Sequence, residues 1–273
     1  MDRQTLIDTI RRKQSFLCVG LDPDPTKMPA HLGSGPESVL AFNRALIGAT
    51  SDLAVAYKPN VAFYEAMGAD GWEVLRQTME MIPQGCLRIA DAKRGDIGNT
   101  ATRYARAAFD AWGADAVTVA PYMGRDSVEP FLDFEDKWTI LLAATSNPGA
   151  EDFEFHGAEQ ETPLWRRVIE VSQTYKGSER LMYVVGATRP EWLAKVRAAA
   201  PERFLLVPGV GAQGGTLEAV CHAGWSDSLA GGLLVNVGRS LMYASDGEDF
   251  AEAAREEALR LQRAMALELV ASR

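Results

Sequence analysis

Short apolar runs alternate with segments of helical period along almost the whole of this chain, and that alternation restricts its fold more than any other feature. Parallel strands cannot be joined by tight turns; they need long crossovers, which helices supply. We read strands at residues 16–21, 53–58, 87–93, 116–120, 139–145, 181–185, 204–207 and 232–237. Helical segments lie between them, at 37–50, 71–81, 100–112, 125–132, 164–175, 190–199, 216–223 and 248–271. The first fifteen residues, MDRQTLIDTIRRKQS, read as a short amphipathic helix. Eight strands with eight helices predict an α/β fold, a (β/α)8 TIM barrel that occupies residues 1–273 as a single domain. A doubly wound open sheet is the alternative, because periodicity alone does not prove closure.

Composition narrows the function. The 273 residues are 47% hydrophobic and 24% charged, enough to bury a sizeable core. A formal charge of −9 argues against a nucleic-acid partner, whose binding domains present a basic face. It also means that an anionic substrate must be held by local cations and backbone N–H groups. Cys18, Cys86 and Cys221 are widely spaced without a C-x-x-C pair, and His31, His156 and His222 are equally scattered. That usage predicts a reducing, cytoplasmic setting with no disulfide framework and no zinc site. Cys221 and His222 are neighbours in a helical segment and so face apart. No apolar signal-peptide core follows the first helix, and no run reaches the roughly 18 apolar residues of a membrane span, so no membrane partner is expected.

Barrels of this kind carry their sites at the carboxyl ends of the strands. The first strand ends in Gly20-Leu21-Asp22-Pro23-Asp24, the second in Tyr57-Lys58-Pro59-Asn60 and the third in Asp91 and Lys93. The next three are followed by Pro121-Tyr122-Met123-Gly124, Ser146-Asn147-Pro148-Gly149 and Gly186-Ala187-Thr188. The last two lead into PGVGAQGG (208–215) and Gly238-Arg239-Ser240. Packing does not demand polar or small residues on one rim; a site does.

The most charged of these ends is RIADAKRGDIGNT (88–100), where Asp91, Lys93, Arg94 and Asp96 fall within six positions. On a regular strand Asp91 and Lys93 share a face. Lys58 lies in an otherwise apolar strand; alone it would read as a snorkelling lysine, but beside Asp91 and Lys93 it reads as part of a charge cluster. Asp22 has a turn-forming explanation within DPDP, and Asp96, Asn99 or Thr100 could each cap the helix that follows. Residues 209–214 fit G-x-G-x-x-G, yet the next strand ends in Gly238-Arg239 and not in the acidic residue that a dinucleotide ribose requires. Glycine N–H groups after the seventh strand, with a helix N-terminus and an arginine after the eighth, predict a phosphate monoester instead. The irregular, acidic stretch 147–163, NPGAEDFEFHGAEQETP, has the length of a lid or binding loop, with a plain surface insertion as the alternative.

Together, GLDPDP (20–25), AYKPN (56–60), DAKRGDIGNT (91–100), TSNPGA (145–150), PGVGAQGG (208–215) and VGRS (237–240) resemble the orotidine 5'-phosphate decarboxylase family, in family order and over nearly the whole barrel. The DAKRGDIG and YKPN forms are similar to its longer bacterial branch, and segment 149–163 is enlarged relative to shorter members. The resemblance implies a homodimer that converts orotidine 5'-phosphate to UMP and carbon dioxide in pyrimidine synthesis, with no metal and no organic cofactor. It implies that Lys58, Asp91, Lys93 and Asp96 form an alternating charge array. Asp96 would be supplied across the dimer interface, with Ile97 and Thr100 beside it. Asp22, Lys58 and Thr100 would touch ribose hydroxyls and Ser146 the pyrimidine. Gln213, Gly238 and Arg239 would hold the phosphate, and Pro208 completes the substrate-binding set.

The chemistry of such an array can be argued independently. Loss of carbon dioxide from the pyrimidine C6 leaves a carbanion with no adjacent carbonyl to delocalise it. Preorganised charge in a water-poor site must stabilise it, and a nearby acid must deliver a proton. Lys93 is the candidate acid, with Asp91 and Asp96 keeping both lysines protonated. Two positive and two negative charges cancel, which limits the penalty of burying them when all are paired.

Three rivals stand against this reading. A magnesium-dependent sugar-phosphate enzyme of the same superfamily, with a D-x-K-x-x-D motif, would be expected to place an acidic metal ligand where this chain has Lys58, which cannot ligate magnesium. A Schiff-base aldolase using Lys93 or Lys58 would yield a substrate adduct trapped by borohydride. A non-catalytic phosphosugar-binding barrel would not need buried lysines. Turnover of orotidine 5'-phosphate is expected to persist in EDTA; loss of activity on chelation would overturn the reading in favour of the metal-dependent rival.

Overall fold

The computed structural model describes residues 1–157, 162–211 and 214–271. Its strands are β1 (Leu17–Leu21), β2 (Ala56–Pro59), β3 (Leu87–Arg94), β4 (Ala116–Val119), β5 (Trp138–Ala144), β6 (Leu181–Val185), β7 (Leu205–Pro208) and β8 (Leu233–Val237). They close into a barrel in chain order, β1 through β8, and every pairing with a recorded register is parallel. The helices are α1 (Arg3–Lys13), α2 (Pro36–Thr50), α3 (Val61–Glu65), α4 (Ala69–Met81), α5 (Gly98–Arg106) and α6 (Arg125–Leu132). They continue as α7 (Ala150–Phe153), α8 (Leu164–Ser172), α9 (Pro190–Ala199), α10 (Leu217–Gly224), α11 (Arg239–Met242) and α12 (Phe250–Ala271). Among the described residues no helix is long and apolar enough to cross a membrane.

The expected barrel is therefore present, and the open sheet is not. Where bounds differ, local hydrogen bonding explains it. Strand β2 starts at Ala56, not at 53, because the N–H groups of Leu53 and Ala54 still donate to Thr50 O (3.0 and 2.9 Å) and prolong the end of α2. The helix expected over 100–112 starts at Gly98 and changes at Ala107 into one π turn, in which Trp112 N–H donates to Ala107 O (3.0 Å). The short helices α3, α7 and α11 escaped sequence reading because four or five residues carry no period.

The chain packs as two compact units. One comprises residues 1–92, 107–115 and 236–273, the other 93–106 and 116–235. In the first, Phe42 on α2 stacks on Phe250 of α12, with ring centroids 5.3 Å apart. Each fully buried aliphatic or aromatic core side chain contributes about 1.5–3 kcal/mol. The buried Asn43 amide is paired on its donor side: Nδ2 donates to Tyr64 Oη and to Thr78 Oγ1, both at 3.0 Å.

In the second unit Trp138 meets Phe204 edge to face, and the hydroxyls of Ser172 and Tyr183 lie 2.8 Å apart. Arg197 on α9 bonds several backbone carbonyls there. The buried guanidinium donates to Gly224 O (2.7 Å), Gly232 O (2.8 Å), Arg203 O (2.6 Å) and Ala200 O (3.1 Å). It thus supplies the one recorded donor to Gly224 O and Arg203 O, and a second donor to Gly232 O and Ala200 O, which also accept from Leu205 N–H and Arg203 N–H. Burial lowers its pKa to about 10, still far above neutrality, so it remains a full donor. Arg197→Met is expected to destabilise the protein by about 2–3 kcal/mol, since it takes the recorded donor from Gly224 O and Arg203 O and weakens the bonding at Gly232 O and Ala200 O. Urea unfolding checks this, and an unchanged midpoint would show that those carbonyls find other donors.

Candidate active site

Sequence places a lysine inside the apolar strand β2, and the fold buries it. Lys58 is 4% exposed and Asp91 8%, and Lys58 Nζ lies 2.8 Å from Asp91 Oδ2. The two come together because β2 and β3 are parallel neighbours, with Asn60 bridged to Asp91 at their carboxyl ends. On the other side Lys58 is in register with Gly20 of β1. Burial by itself would lower the Lys58 pKa, but the carboxylates of Asp91 and Asp22 hold it above its ordinary value, so the ammonium form persists at neutral pH.

Asp22 follows β1. Its carbonyl accepts from Tyr243 Oη (3.0 Å), which in turn accepts from Asp24 N–H (2.8 Å), so Tyr243 clamps this loop. Asp22 Oδ1 is buried with no hydrogen-bond partner, an acceptor available to an incoming hydroxyl. Gly20 explains the close approach of this rim to the end of β8: a Cβ there would lie 3.1 Å from Gly238 Cα. Gly238 leads directly into α11, which starts at the exposed Arg239.

Lys93, the candidate acid, is exposed at the rim and has φ +47°, the left-handed region that a lysine enters only at a cost of about 1–3 kcal/mol. Its N–H donates to Thr118 Oγ1 at 2.9 Å. The simple pleat that would align Asp91 and Lys93 is therefore interrupted at Lys93 itself. Beyond it, Asp96 Oδ1 accepts from Ile97 N–H (2.8 Å), and Asp96 forms no ion pair among the described residues. Ile97 is 54% exposed and Thr100 is exposed on the first turn of α5.

Ser146, just past β5, is half-buried. It packs against the end of β6, where a Cβ on Gly186 would lie 2.6 Å from Ser146 Cβ; only glycine fits. Glu154 fixes the residue before it, accepting from Thr145 N–H (2.6 Å) and Thr145 Oγ1 (2.9 Å). Burial raises the pKa of Glu154. This clamp was not legible beforehand, because a glutamate in an acidic loop carries no sign that it will fold back nine residues. Segment 150–156 packs down through the Phe155 ring, 4.9 Å from Trp192, and through an Arg189–Glu151 ion pair.

Pro208 ends β7, half-buried, and Gln213 lies outside the described residues. In the loop between, Gly211 N–H donates to Gly215 O, Gly214 N–H to Gly211 O and Gly215 N–H to Gly209 O (3.0, 2.9 and 3.1 Å). Those three N–H groups close the loop on itself. At Gly211, Gly214 and Gly215 the N–H groups serve the turn, which also takes φ +104° at Gly209 and +81° at Gly211. A separate cavity of about 540 Å3 lies among Pro121, Tyr122, Leu142, Phe153 and Trp165. It includes none of the predicted site residues.

A family profile described as the orotidine 5'-phosphate decarboxylase / HUMPS family matches residues 15–254. An orotidine 5'-phosphate decarboxylase of Flavobacterium johnsoniae is 55% identical over 97% of this chain and 97% of its own. Among solved structures, an OMP decarboxylase of Leishmania donovani superposes with a TM-score of 0.82 at 37% identity, covering 96% of this chain and 99% of that one. The UMP synthase of the same organism gives 0.83 at 39%, covering 94% of this chain and 56% of that larger one.

The Lys58–Asp91 pair makes a stability prediction. The folded pKa of Lys58 lies above its unfolded value, so the stabilisation is complete below the ordinary 10.5 and is lost only as pH climbs from there through the folded value. At neutral pH, Asp91→Asn leaves a buried ammonium without its carboxylate and is expected to cost about 3–5 kcal/mol in urea unfolding. Replacing both partners, Lys58→Met with Asp91→Leu, is expected to recover most of that loss.

Proposed function

The chain belongs to the orotidine 5'-phosphate decarboxylase family, and from that premise we propose that it converts orotidine 5'-phosphate to UMP and carbon dioxide by direct loss of the carboxylate, without metal or organic cofactor. It is a carboxy-lyase of pyrimidine synthesis. The observation that carries the mechanism is the buried Lys58–Asp91 pair on the rim of β2 and β3, a fixed cation and anion held away from water.

The C6–carboxylate bond breaks, carbon dioxide departs, and the electron pair remains on C6. Lys93 donates a proton to that carbon, so one proton is consumed for each UMP formed. Lys58 and Asp91 are preorganised, so little reorganisation accompanies the change in charge. Asp22, with its unpartnered carboxylate oxygen, and Lys58 suit ribose hydroxyls as acceptor and donor, alongside Thr100. Ser146, held between Gly186 and the Glu154 clamp, suits the pyrimidine edge. Arg239 at the start of α11, with Gly238, Pro208 and Gln213, takes the phosphate. Binding energy from that remote group is available for use at the reacting carbon.

The enzyme acts as a homodimer, each barrel working as one catalytic domain in the cytoplasm. Two observations support the dimer. Asp96 has no cation of its own among the described residues, which suits a carboxylate that completes the partner's array. Ile97 (54% exposed), Tyr122 (82%) and Met123 (48%) are exposed apolar side chains that suit a partner surface.

Loss of the orotate absorbance on adding orotidine 5'-phosphate to the purified protein tests the activity. Lys93→Ala is expected to lower turnover by at least about 10²–10⁴-fold, the range for a general acid, while UMP binding and the folded state persist. A near-normal rate in that variant would refute the role of Lys93.

A further inference from the structure

Strand β3 carries one residue more than the strand beside it. At its start Asp115 N–H donates to Arg88 O, and at its end Ala120 N–H donates to Arg94 O, both at 2.8 Å. Between these two bonds β3 advances from 88 to 94, six residues, whereas β4 and its flanks advance from 115 to 120, five. A regular parallel ladder advances equally on both sides, so β3 contains a bulge. The backbone shows where. Among the described residues three non-glycines have positive φ: Gln14 and Ala230, which cap helices, and Lys93, which lies within a strand.

A bulged residue has no ladder carbonyl for its N–H. For Lys93 the acceptor is the hydroxyl of Thr118, the one polar side chain of β4 and 1% exposed. A buried threonine on a central strand is stiff at χ1, so its oxygen is a fixed point. We propose that Thr118 is the positioning residue of the active site: by accepting the Lys93 N–H, it holds the bulge in β3 and thereby aims the Lys93 ammonium at the substrate carbon. The proposal rests on the assignment of Lys93 as proton donor. Without the hydroxyl, β3 does better to satisfy that N–H by sliding towards a regular ladder. A shift by one residue carries each side chain to the opposite face, and Lys93 would leave the site with its charge unchanged.

The test uses the full-length enzyme and three variants. Thr118→Val keeps the shape and the β-branch but removes the acceptor; Thr118→Ser keeps the acceptor; Lys93→Ala reports on the donor assignment. Thr118→Val is expected to lose on the order of 10²-fold in kcat, the penalty of a misaimed group, with KM and UMP affinity little changed. Thr118→Ser is expected to restore most of kcat. Amide hydrogen exchange at Lys93 is expected to quicken in the valine variant and to stay slow in the serine one. Wild-type kcat in Thr118→Val, a serine variant as impaired as the valine one, or a loss confined to KM would each overturn the positioning role. Should Thr118→Val fail to fold, Thr118→Ala against Thr118→Ser makes the same comparison. Normal turnover in Lys93→Ala would remove the donor assignment and this proposal with it. An inactive Lys93→Ala beside a fully active Thr118→Val would remove the positioning role alone.

Discussion

An ammonium and a carboxylate 2.8 Å apart, both almost wholly buried at the carboxyl ends of neighbouring strands, set the terms for the rest of this site. Each charge is costly in that place without the other, because burial removes water from both and the partner offsets much of that loss, with Asp22 a second carboxylate acting on Lys58. Barrel closure brings them together: β2 must lie between β1 and β3, and the parallel register then sets Lys58 beside Gly20 on one side while Asn60 bridges to Asp91 on the other. Nothing in the packing of an apolar barrel asks for such a pair. It lies where the strands end, and the carboxylates of Asp91 and Asp22 keep the lysine charged.

Within each unit the strand ends are shaped by devices that act at short range. Glycine permits close approach at two points, Gly20 against Gly238 and Gly186 against Ser146, where any Cβ would collide. Side chains that are not themselves reactive then pin the loops, Tyr243 at residues 22 to 24 and Glu154 at Thr145. Lys93 belongs to the same scheme. Its left-handed backbone is unfavourable for a lysine, and it persists because β3 has a residue to spare and the Thr118 hydroxyl takes the N–H that the ladder cannot.

Much of the fold was legible in the sequence because the signals are local and repeated. Each strand is a short apolar run, each long helix shows its period, and the alternation of the two leaves few topologies. The limits are equally physical. The ends of β2 and of the helix after β3 moved because backbone hydrogen bonds, and not side-chain pattern, decide where a helix stops. Four- and five-residue helices carry too little period to see. The glycines of 209–215 show a different limit: the N–H groups of Gly211, Gly214 and Gly215 bond within their own loop, a use that the motif does not reveal. Glycine's backbone freedom is visible in sequence, but the direction in which its N–H points is not.

The sequence by itself determined the alternation of strands and helices, the polar residues at the strand ends, and the identity of the charged residues there, because hydrophobic period and residue chemistry are written locally; closure into a barrel was decided by tertiary structure. Tertiary structure alone decided that Lys58 and Asp91 are buried as one pair, that Glu154 folds back on Thr145, and that Lys93 sits on a bulge held by Thr118. These depend on register and on contacts between residues 9 to 33 positions apart, which no local pattern encodes. The DxK pair that looked like two residues on one face of a regular strand is, in the folded protein, one residue on a ladder and one turned out of it.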